Sequence, residues 1–306
     1  MKLGKREYLG VDVSNASLQA VSLTRSGKSL RLAAARSRTL ADGLVQSNQR
    51  ELNLPRPNDF IAGIRELLGP LGGHEERISL SLPDSSGRLY LHEMETIFKS
   101  RDEGLDILRW KLKGSLPAAP KDVQLDYQVL NKNENGRYRM LVSVITRNVL
   151  GQYEELFNAA GYQPLVVDFH SLNVLGYYQP QVDFSDDLVL IVIDGTTLVF
   201  KYFQNGQLVL QRCREVGSSV ERVFQEINRS VAGNRNKLPS LSRAKVYLHS
   251  DWEQMESLQE AVAAVLEKPV QVLDPKIEKL SIDSAVIQPH QGRSLVAALG
   301  AAERLM

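Results

Sequence analysis

The sequence predicts an α/β fold made of two related halves, with a small α+β subdomain inserted into the first half. One observation is a pattern that occurs twice: an apolar strand ending in Asp, a tight turn and a second strand. Another is the alternation of apolar strands with helical periods around both copies. A third is the order strand, helix, strand, strand, helix in residues 87–163. We therefore expect a first half at 1–86 and 164–181, an inserted subdomain at 87–163, and a second half at 182–306.

The two copies of the repeated pattern share the same order of elements. In the first copy, turns of small polar residues separate three strands, at 8–13, 18–23 and 30–32. In the second copy, the corresponding strands are at 188–194, 198–203 and 208–210. Asp12 and Asp194 come at the carboxyl ends of the leading strands, where ligands of open α/β sheets bind. Each Asp alone is equally well explained as a turn residue, but the pair favours the remnant of an active cleft.

Hydrophobic periodicity defines the other elements of the first half. Residues 60–68 carry apolar side chains at helical spacing, with Asn58 as the expected N-cap. Alternation over 78–82 predicts a strand. A further strand is expected at 164–168, followed by a helix at 171–178.

The insertion has its own pattern of short elements. Strands are expected at 88–98, 123–130 and 138–146, and helices at 101–114 and 149–160. The segment 133–136 is a hairpin signal, and Gly161 is a suitable residue to end the second helix. Trp110 either packs in the core or anchors a partner, because Trp and Arg are enriched at interface hot spots. Arg109 and Trp110 are therefore the candidate partner-binding residues.

Two capping boxes and a closing helix complete the second half. Ser218 with Glu221 predicts a helix whose apolar stripe includes Phe224, and Ser250 with Glu253 predicts the next helix. Strands are expected at 244–248 and 270–273. A closing helix at 295–306 is expected to pack across the base of the second half.

Composition excludes several classes of protein. The chain has 306 residues, 37 basic and 36 acidic, and a net charge of +1, so no basic field predicts nucleic-acid binding. Cys213 is the single cysteine, which fits a reducing cytosol. No apolar run approaches the length of a membrane span, and residues 1–7 do not form a secretory signal. We expect a cytoplasmic protein that reaches a membrane only through a partner.

Several segments resemble, in their order and spacing, one family of actin-like proteins. The matching segments are Gly10-Val11-Asp12, Leu108-Arg109-Trp110, Leu125-Asp126-Tyr127-Gln128-Val129-Leu130, 153–161, Val167-Asp168, Val272-Leu273-Asp274-Pro275 and Ala297-Ala298-Leu299-Gly300. They are similar to PilM and its relative MshI, which serve in type IV pilus assembly. The resemblance implies an actin-like, ribonuclease H-like bilobal fold. In such proteins two hairpins grip the phosphates of ATP, and paired aspartates hold Mg²⁺ through water.

The sequence departs from that family at three nucleotide-binding elements. Ser14 replaces a Gly and Gln19 replaces a Lys in the first hairpin, and the turn after Asp194 is about two residues short. The segment after the strand at 244–248 contains no Gly where an adenosine loop is expected. We expect a vestigial or weak nucleotide site, whose candidate ligands are ATP and Mg²⁺. Its residues would be Asp12, Ser14, Asn15, Gln19, Asp194, Gly195, Thr196 and Thr197.

Other catalytic motifs are missing from the sequence. It contains no G-x-x-x-x-G-K-[ST], G-x-G-x-x-G or G-x-S-x-G motif. The histidines show no metal-ligand spacing with Cys, Asp or Glu, so no metal site is expected beyond a nucleotide-bound Mg²⁺. They are His74, His92, His170, His249 and His290.

The resemblance implies a scaffold of a pilus assembly platform. Its partner would be the cytoplasmic tail of a PilN-like inner-membrane protein, docked between the first half and the insertion. A functional ATP-binding switch of the same machine is the first alternative, and a sugar kinase is the second. Formation of a homo-oligomer stays open.

Overall fold

A computed structural model describes residues 6–27, 29–71, 75–133, 135–280 and 289–306. His74 and Glu134, which belongs to the expected hairpin signal, lie outside these residues. No helix in the described part of the chain is long and apolar enough to cross a bilayer. The strands are β1 (Glu7–Val13), β2 (Ser17–Ser26), β3 (Ser29–Thr39), β4 (Arg77–Leu82), β5 (Gly87–Met94), β6 (Val123–Lys132), β7 (Tyr138–Thr146), β8 (Gln163–Phe169), β9 (Leu188–Asp194), β10 (Thr197–Gln204), β11 (Gln207–Glu215), β12 (Lys245–Ser250) and β13 (Val270–Val272). The helices are α1 (Pro57–Leu68), α2 (Arg101–Leu112), α3 (Arg147–Ala160), α4 (His170–Tyr178), α5 (Val220–Ala232), α6 (Met255–Leu266), α7 (Pro289–Ser294) and α8 (Val296–Glu303).

Two five-stranded sheets with the same topology form the body of the protein. The first has the order β3-β2-β1-β4-β8 and the second has the order β11-β10-β9-β12-β13. In each sheet the leading three strands are antiparallel neighbours, and the remaining two run parallel to the central strand. The predicted α/β fold of two related halves is confirmed.

Helices cover the outer face of each sheet. On the first sheet, the ring of Phe60 in α1 meets Tyr153 and Phe157 of α3 edge to face, at centroid distances of 6.3 and 6.0 Å. On the second sheet, α5 and α6 bury Val223, Ile227 and other apolar residues. Phe224, expected inside, is 38% exposed, because it lies on the solvent side of α5.

The closing helix α8 lies between the two sheets together with α4. It contacts β1, β2 and β4 of the first sheet, so the expectation that it packs across the base of the second half is wrong. Gly10 of β1 makes this close approach possible, because a Cβ there would overlap the backbone of Ala298 and Ala302. Gly300 of α8 packs in the same way on the backbone of Asn173 in α4.

The insertion forms a third, antiparallel sheet with the order β5-β7-β6. Leu108 and Leu112 of α2 pack on one face of this sheet. Helix α3 follows in the chain but buries Val149, Tyr153 and Phe157 against the first sheet. It ends at Gly161, which has a left-handed φ of 101° as predicted. The predicted domain limits stay a prediction.

Helix starts differ from the predicted caps. Ser219 rather than Ser218 caps α5, and its Oγ accepts the N–H of Arg222. Ser250 does not cap α6, because it is the last residue of β12. Asn58 does not cap α1, since that helix already begins at Pro57.

Candidate functional site in the cleft between the sheets

Asp12 and Asp194 lie together in the cleft between the two sheets, at the carboxyl ends of the central strands β1 and β9. His170, the first residue of α4, stands between them. Its Nδ1 donates to Oδ1 of Asp12 at 3.0 Å and lies 3.5 Å from Oδ2 of Asp194. Asp12 and His170 are buried, and the side chain of Asp194 is only 13% exposed. Asp12, His170 and Asp194 are called the cleft cluster below.

The charges of the cleft cluster hold a proton on His170. Burial alone would lower the pKa of the imidazole, but the carboxylates of Asp194 and Asp12 outweigh burial and raise this pKa to about 10. Burial raises the pKa of Asp194 well above its usual range, and the charge of His170 opposes that rise. The cluster is therefore an imidazolium between two carboxyl groups at neutral pH.

A third carboxyl group, that of Asp251, fixes the turn between β9 and β10. Both of its oxygens accept the backbone N–H of Gly195, at 3.2 Å each. Trp252 Nε1 donates to the carbonyl of Gly195 at 2.7 Å. Gly195 has a positive φ of 51°, which the turn requires. The backbone N–H and C=O of Gly195 are thus both hydrogen-bonded to the segment that follows β12.

The first hairpin turn is held by its own side chains. Ser14 Oγ accepts the backbone N–H groups of Ala16 and Ser17, at 3.2 and 3.0 Å. Gln19 Nε2 donates to Ser17 Oγ at 3.2 Å. Within the described residues, Gln19 Oε1 and Asn15 Oδ1 are buried without a hydrogen-bond partner. Ser14 therefore stabilises the turn, and the amide groups of Asn15 and Gln19 keep unused acceptors.

The second hairpin turn is shorter than the first. Asp194 pairs with Thr197, which leaves Gly195 and Thr196 as a two-residue turn. In the first hairpin, Val13 pairs with Leu18 across four residues. The carbonyl of Thr196 accepts the N–H of Val216 at 2.7 Å, and Thr197 is buried in its strand.

At Gly195 the arrangement leaves no free backbone donor for a phosphate. The N–H of Gly195, which would face a phosphate, already donates to a carboxylate. No chemical step at the cleft is assigned to a nucleotide.

The structure brings together possible metal ligands that sequence spacing did not suggest, while the expectation of no metal site beyond a nucleotide-bound Mg²⁺ stays a prediction. One ligand atom from each member of the cleft cluster lies within 4.8 Å of the others, an arrangement that could also hold a metal ion. The proton on His170 Nδ1 points at Asp12 and occupies the same space. A proton and a metal ion would therefore exclude each other here.

Arg109 and Trp110 lie on α2 of the insertion. Trp110 is 62% exposed, which excludes core packing. The ammonium groups of Lys111 and Lys113 lie 5.5 and 5.4 Å from its ring. The guanidinium of Arg109 forms a salt bridge with the carboxylate of Asp106, one turn earlier on α2, with a nitrogen–oxygen distance of 3.1 Å. The α2 surface is thus an aromatic ring flanked by cations.

A groove of about 930 Å³ lies between the insertion and the first half and is closed on one side by residues of the second half. Its walls come from β6, β7, β8, α4, the β10–β11 turn and the end of α8. The lining includes these leucine and phenylalanine residues: Leu89, Leu130, Leu141, Leu172, Leu175, Phe184, Phe203 and Leu208. Sequence reasoning placed a partner between these two units but identified none of the lining residues.

The repeated sheets, with paired aspartates facing across a cleft, define a protein of the actin-like ATPase fold. Solved structures agree. A Bacteroides thetaiotaomicron protein with an actin-like ATPase fold and unknown function is 12% identical, with a TM-score of 0.57 over 88% of this chain and 91% of that one. The ethanolamine utilization protein EutJ from Carboxydothermus hydrogenoformans is 13% identical, with a TM-score of 0.54 over 99% and 91%.

More specifically, the chain belongs to the type IV pilus assembly protein PilM family, whose sequence profile matches residues 10–230. A structure described as a PilM-PilN type IV pilus biogenesis complex is similar to it, with a TM-score of 0.80 at 18% identity and 98% coverage of both chains. No curated protein matches the chain.

Proposed function

We propose that this protein is a scaffold of a type IV pilus assembly platform and binds the cytoplasmic tail of a PilN-like inner-membrane protein. The observation that carries this proposal is the groove between the insertion and the first half. The similar PilM structure was obtained as a complex with PilN, which supports the same class of partner. Binding of the tail would hold the protein at the cytoplasmic side of the inner membrane.

The groove suits an extended peptide. Its volume of about 930 Å³ is in the range of ligand-binding clefts. Two of its strands, β6 and β8, are edge strands with one row of backbone groups unpaired in their sheets. An extended segment could add to such an edge while its apolar side chains contact the leucines of the groove.

The cleft supports a scaffold that does not need a nucleotide. The carboxyl groups of Asp12 and Asp194 contact the built-in cation of His170, so the protein's own side chains join the two halves across the cleft. The alternative, an ATP-dependent switch, requires a phosphate among those carboxyl groups. We therefore place the scaffold ahead of the switch.

Titration with a synthetic peptide of the PilN-like tail tests the proposal. We expect saturable binding to the wild-type protein and loss of binding in Leu172→Glu, because that change puts a charge on the apolar groove wall. Leu52→Glu is the control, since Leu52 is 57% exposed and lies outside the groove. Equal binding by both variants would contradict the groove as the docking site.

We infer that the α2 surface around Arg109 and Trp110 is a second contact with the platform. An exposed Trp beside cations is a common interface anchor. Trp110→Ala should reduce capture of the platform proteins without changing the melting temperature. Undiminished capture by a folded variant would remove this contact from the proposal.

A further inference from the structure

Aromatic rings and cations lie together where α2 of the insertion ends. Trp110, in the last turn of α2, is 62% exposed. The ammonium groups of Lys111 and Lys113, both exposed residues, lie 5.5 and 5.4 Å from its ring. On the edge strand β5, the guanidinium of the exposed Arg88 lies 5.8 Å from the ring of Tyr90. These five residues are called the basic-aromatic patch below.

Hydrogen bonds join the two parts of the basic-aromatic patch. The hydroxyl of Tyr90 donates to the carbonyl of Ser115, and Arg88 Nη1 donates to the same carbonyl at 3.4 Å. Ser115 lies in the tight turn after α2, where its N–H donates to the carbonyl of Leu112 at 2.7 Å. The end of α2 and strand β5 are therefore fixed against each other, and the patch is one surface of the insertion.

The cations of the patch have no acidic partners. Arg88, Lys111 and Lys113 make no salt bridge with a residue that the structure describes. Residues 107–121, which contain the end of α2 and the turn after it, include no Asp or Glu. The whole chain has a net charge of only +1, so the positive charge is a local property of this surface.

The chemistry of the patch matches an anionic lipid surface. Trp and Tyr rings are enriched at membrane–water interfaces, and basic residues beside them are attracted to anionic headgroups. A peptide ligand is usually bound in a groove or along a strand edge with pockets for its side chains, and none of the five patch residues lines the groove. Cations without acidic partners complement lipid phosphates, and an exposed indole enters the headgroup layer.

We propose that the basic-aromatic patch binds the anionic headgroups of a bilayer, with the indole of Trp110 at the interface and the three cations on lipid phosphates. The inference goes beyond the proposed function and rests on it only for the location at the inner membrane. The α2 surface then contacts the platform through the lipid around it. A few cations and one indole bind a membrane weakly and reversibly, so this contact adds to the hold of the partner.

Flotation with lipid vesicles tests the inference without a partner protein. Full-length protein is mixed with vesicles of phosphatidylcholine alone, or of phosphatidylcholine and phosphatidylglycerol in equal parts. Lys111→Glu/Lys113→Glu is compared with Arg235→Glu/Lys237→Glu, a matched control that changes the net charge equally at two exposed positions after α5. Trp110→Phe keeps an aromatic ring and removes the indole, whose fluorescence emission reports insertion.

We expect the wild-type protein to float only with the anionic vesicles and to be released by high salt, which screens the cations. Lys111→Glu/Lys113→Glu should bind at least about twentyfold more weakly, because each cation at an anionic surface contributes about fivefold. Arg235→Glu/Lys237→Glu should bind as wild type. The tryptophan emission of the wild type should shift to shorter wavelength on binding, and Trp110→Phe should lose that shift.

Two results would overturn the inference. If the wild-type protein does not float with anionic vesicles, the patch is not a lipid site, and reduced capture of platform proteins by Trp110→Ala would then identify its ligand as a protein. If both double variants lose binding equally, the attraction belongs to the net charge and not to the patch. The proposed function is judged separately, because the peptide titration contains no lipid and the flotation contains no peptide.

Discussion

His170 places a positive charge between two carboxyl groups that would otherwise repel each other in a buried site. The contact joins three segments of the chain: the end of β1, the start of α4 and the end of β9. A paired buried charge adds little net stability, but removing one partner leaves the others uncompensated. The imidazolium is therefore essential to the cleft as it is built.

His170→Gln should destabilise the protein by about 3 kcal/mol, because the amide keeps some hydrogen bonding but loses the positive charge. Urea unfolding measures the change. His290→Gln is the matched control, since His290 is partly exposed and lies 3.8 Å from the exposed Glu253. A loss below about 0.5 kcal/mol, the range of ordinary surface substitutions, would show that the ion pair is not formed.

The pKa of His170 also predicts a pH dependence. The ordinary value for His is about 6.5, and the folded protein raises it to about 10. Protonated His170 therefore contributes stability that is fully present below pH 6.5 and is lost as the pH rises through 10. Between these values only the folded state keeps the proton on the imidazole. The raised pKa of Asp194 likewise makes the folded protein less stable as the pH rises.

A comparison of wild type with His170→Gln isolates this dependence. In the wild-type protein alone, Lys201 would obscure this pH dependence. Burial lowers the pKa of Lys201 to about 8, so its contribution to stability increases with pH above that value. The difference in unfolding free energy between the two proteins should shrink between pH 6.5 and 9.5, by at most about 1.4 kcal/mol per pH unit. A difference that is constant across this range would contradict the assignment.

At the scale of elements, α8 depends on close backbone contact with α4. Gly300→Ala should destabilise the protein by about 2 kcal/mol, because the new Cβ would overlap the backbone of Asn173. Gly151→Ala, within α3, is the control: nothing lies near its Cβ, so it should stabilise by about 0.5–1 kcal/mol. Chemical denaturation of both variants checks the pair, and a tolerated Gly300→Ala would mean that the two helices can separate.

Sequence patterns predicted most strands and helices but not the position of α8. The alternating period of residues 78–82 predicted β4 and the helical period of residues 60–68 predicted α1, although both faces of β4 are buried. Residues 296–302 are all buried, so α8 has no polar face to show which sheet it meets. Gly10 and Gly300 lie where α8 packs closely on β1 and α4, but the sequence alone does not show that these glycines make such contacts.

At the scale of the whole molecule, the repeat predicted a cleft with two aspartates but not the residues that complete it. The rule that selected Asp12 applies to every parallel strand: His170 follows β8, and Asp251 follows β12. Applied to β8 and β12, this rule would have identified His170 and Asp251 as residues of the cleft. The groove could not be found in this way, because its wall residues on α4 and α8 come together only through the packing of these two helices.

The charge of the complete cleft predicts how the protein responds to a nucleotide. Calorimetric titration with ATP and Mg²⁺ should show no saturable heat up to about 1 mM, a binding free energy weaker than about −4 kcal/mol. The physical reason is that a triphosphate would have to displace Asp251 from Gly195 and separate His170 from Asp12 and Asp194. A nucleotide-binding actin-like protein titrated in parallel shows that the measurement detects such binding. Saturation in the micromolar range would mean that the cleft rearranges around phosphates, and the ATP-dependent switch would then replace the scaffold.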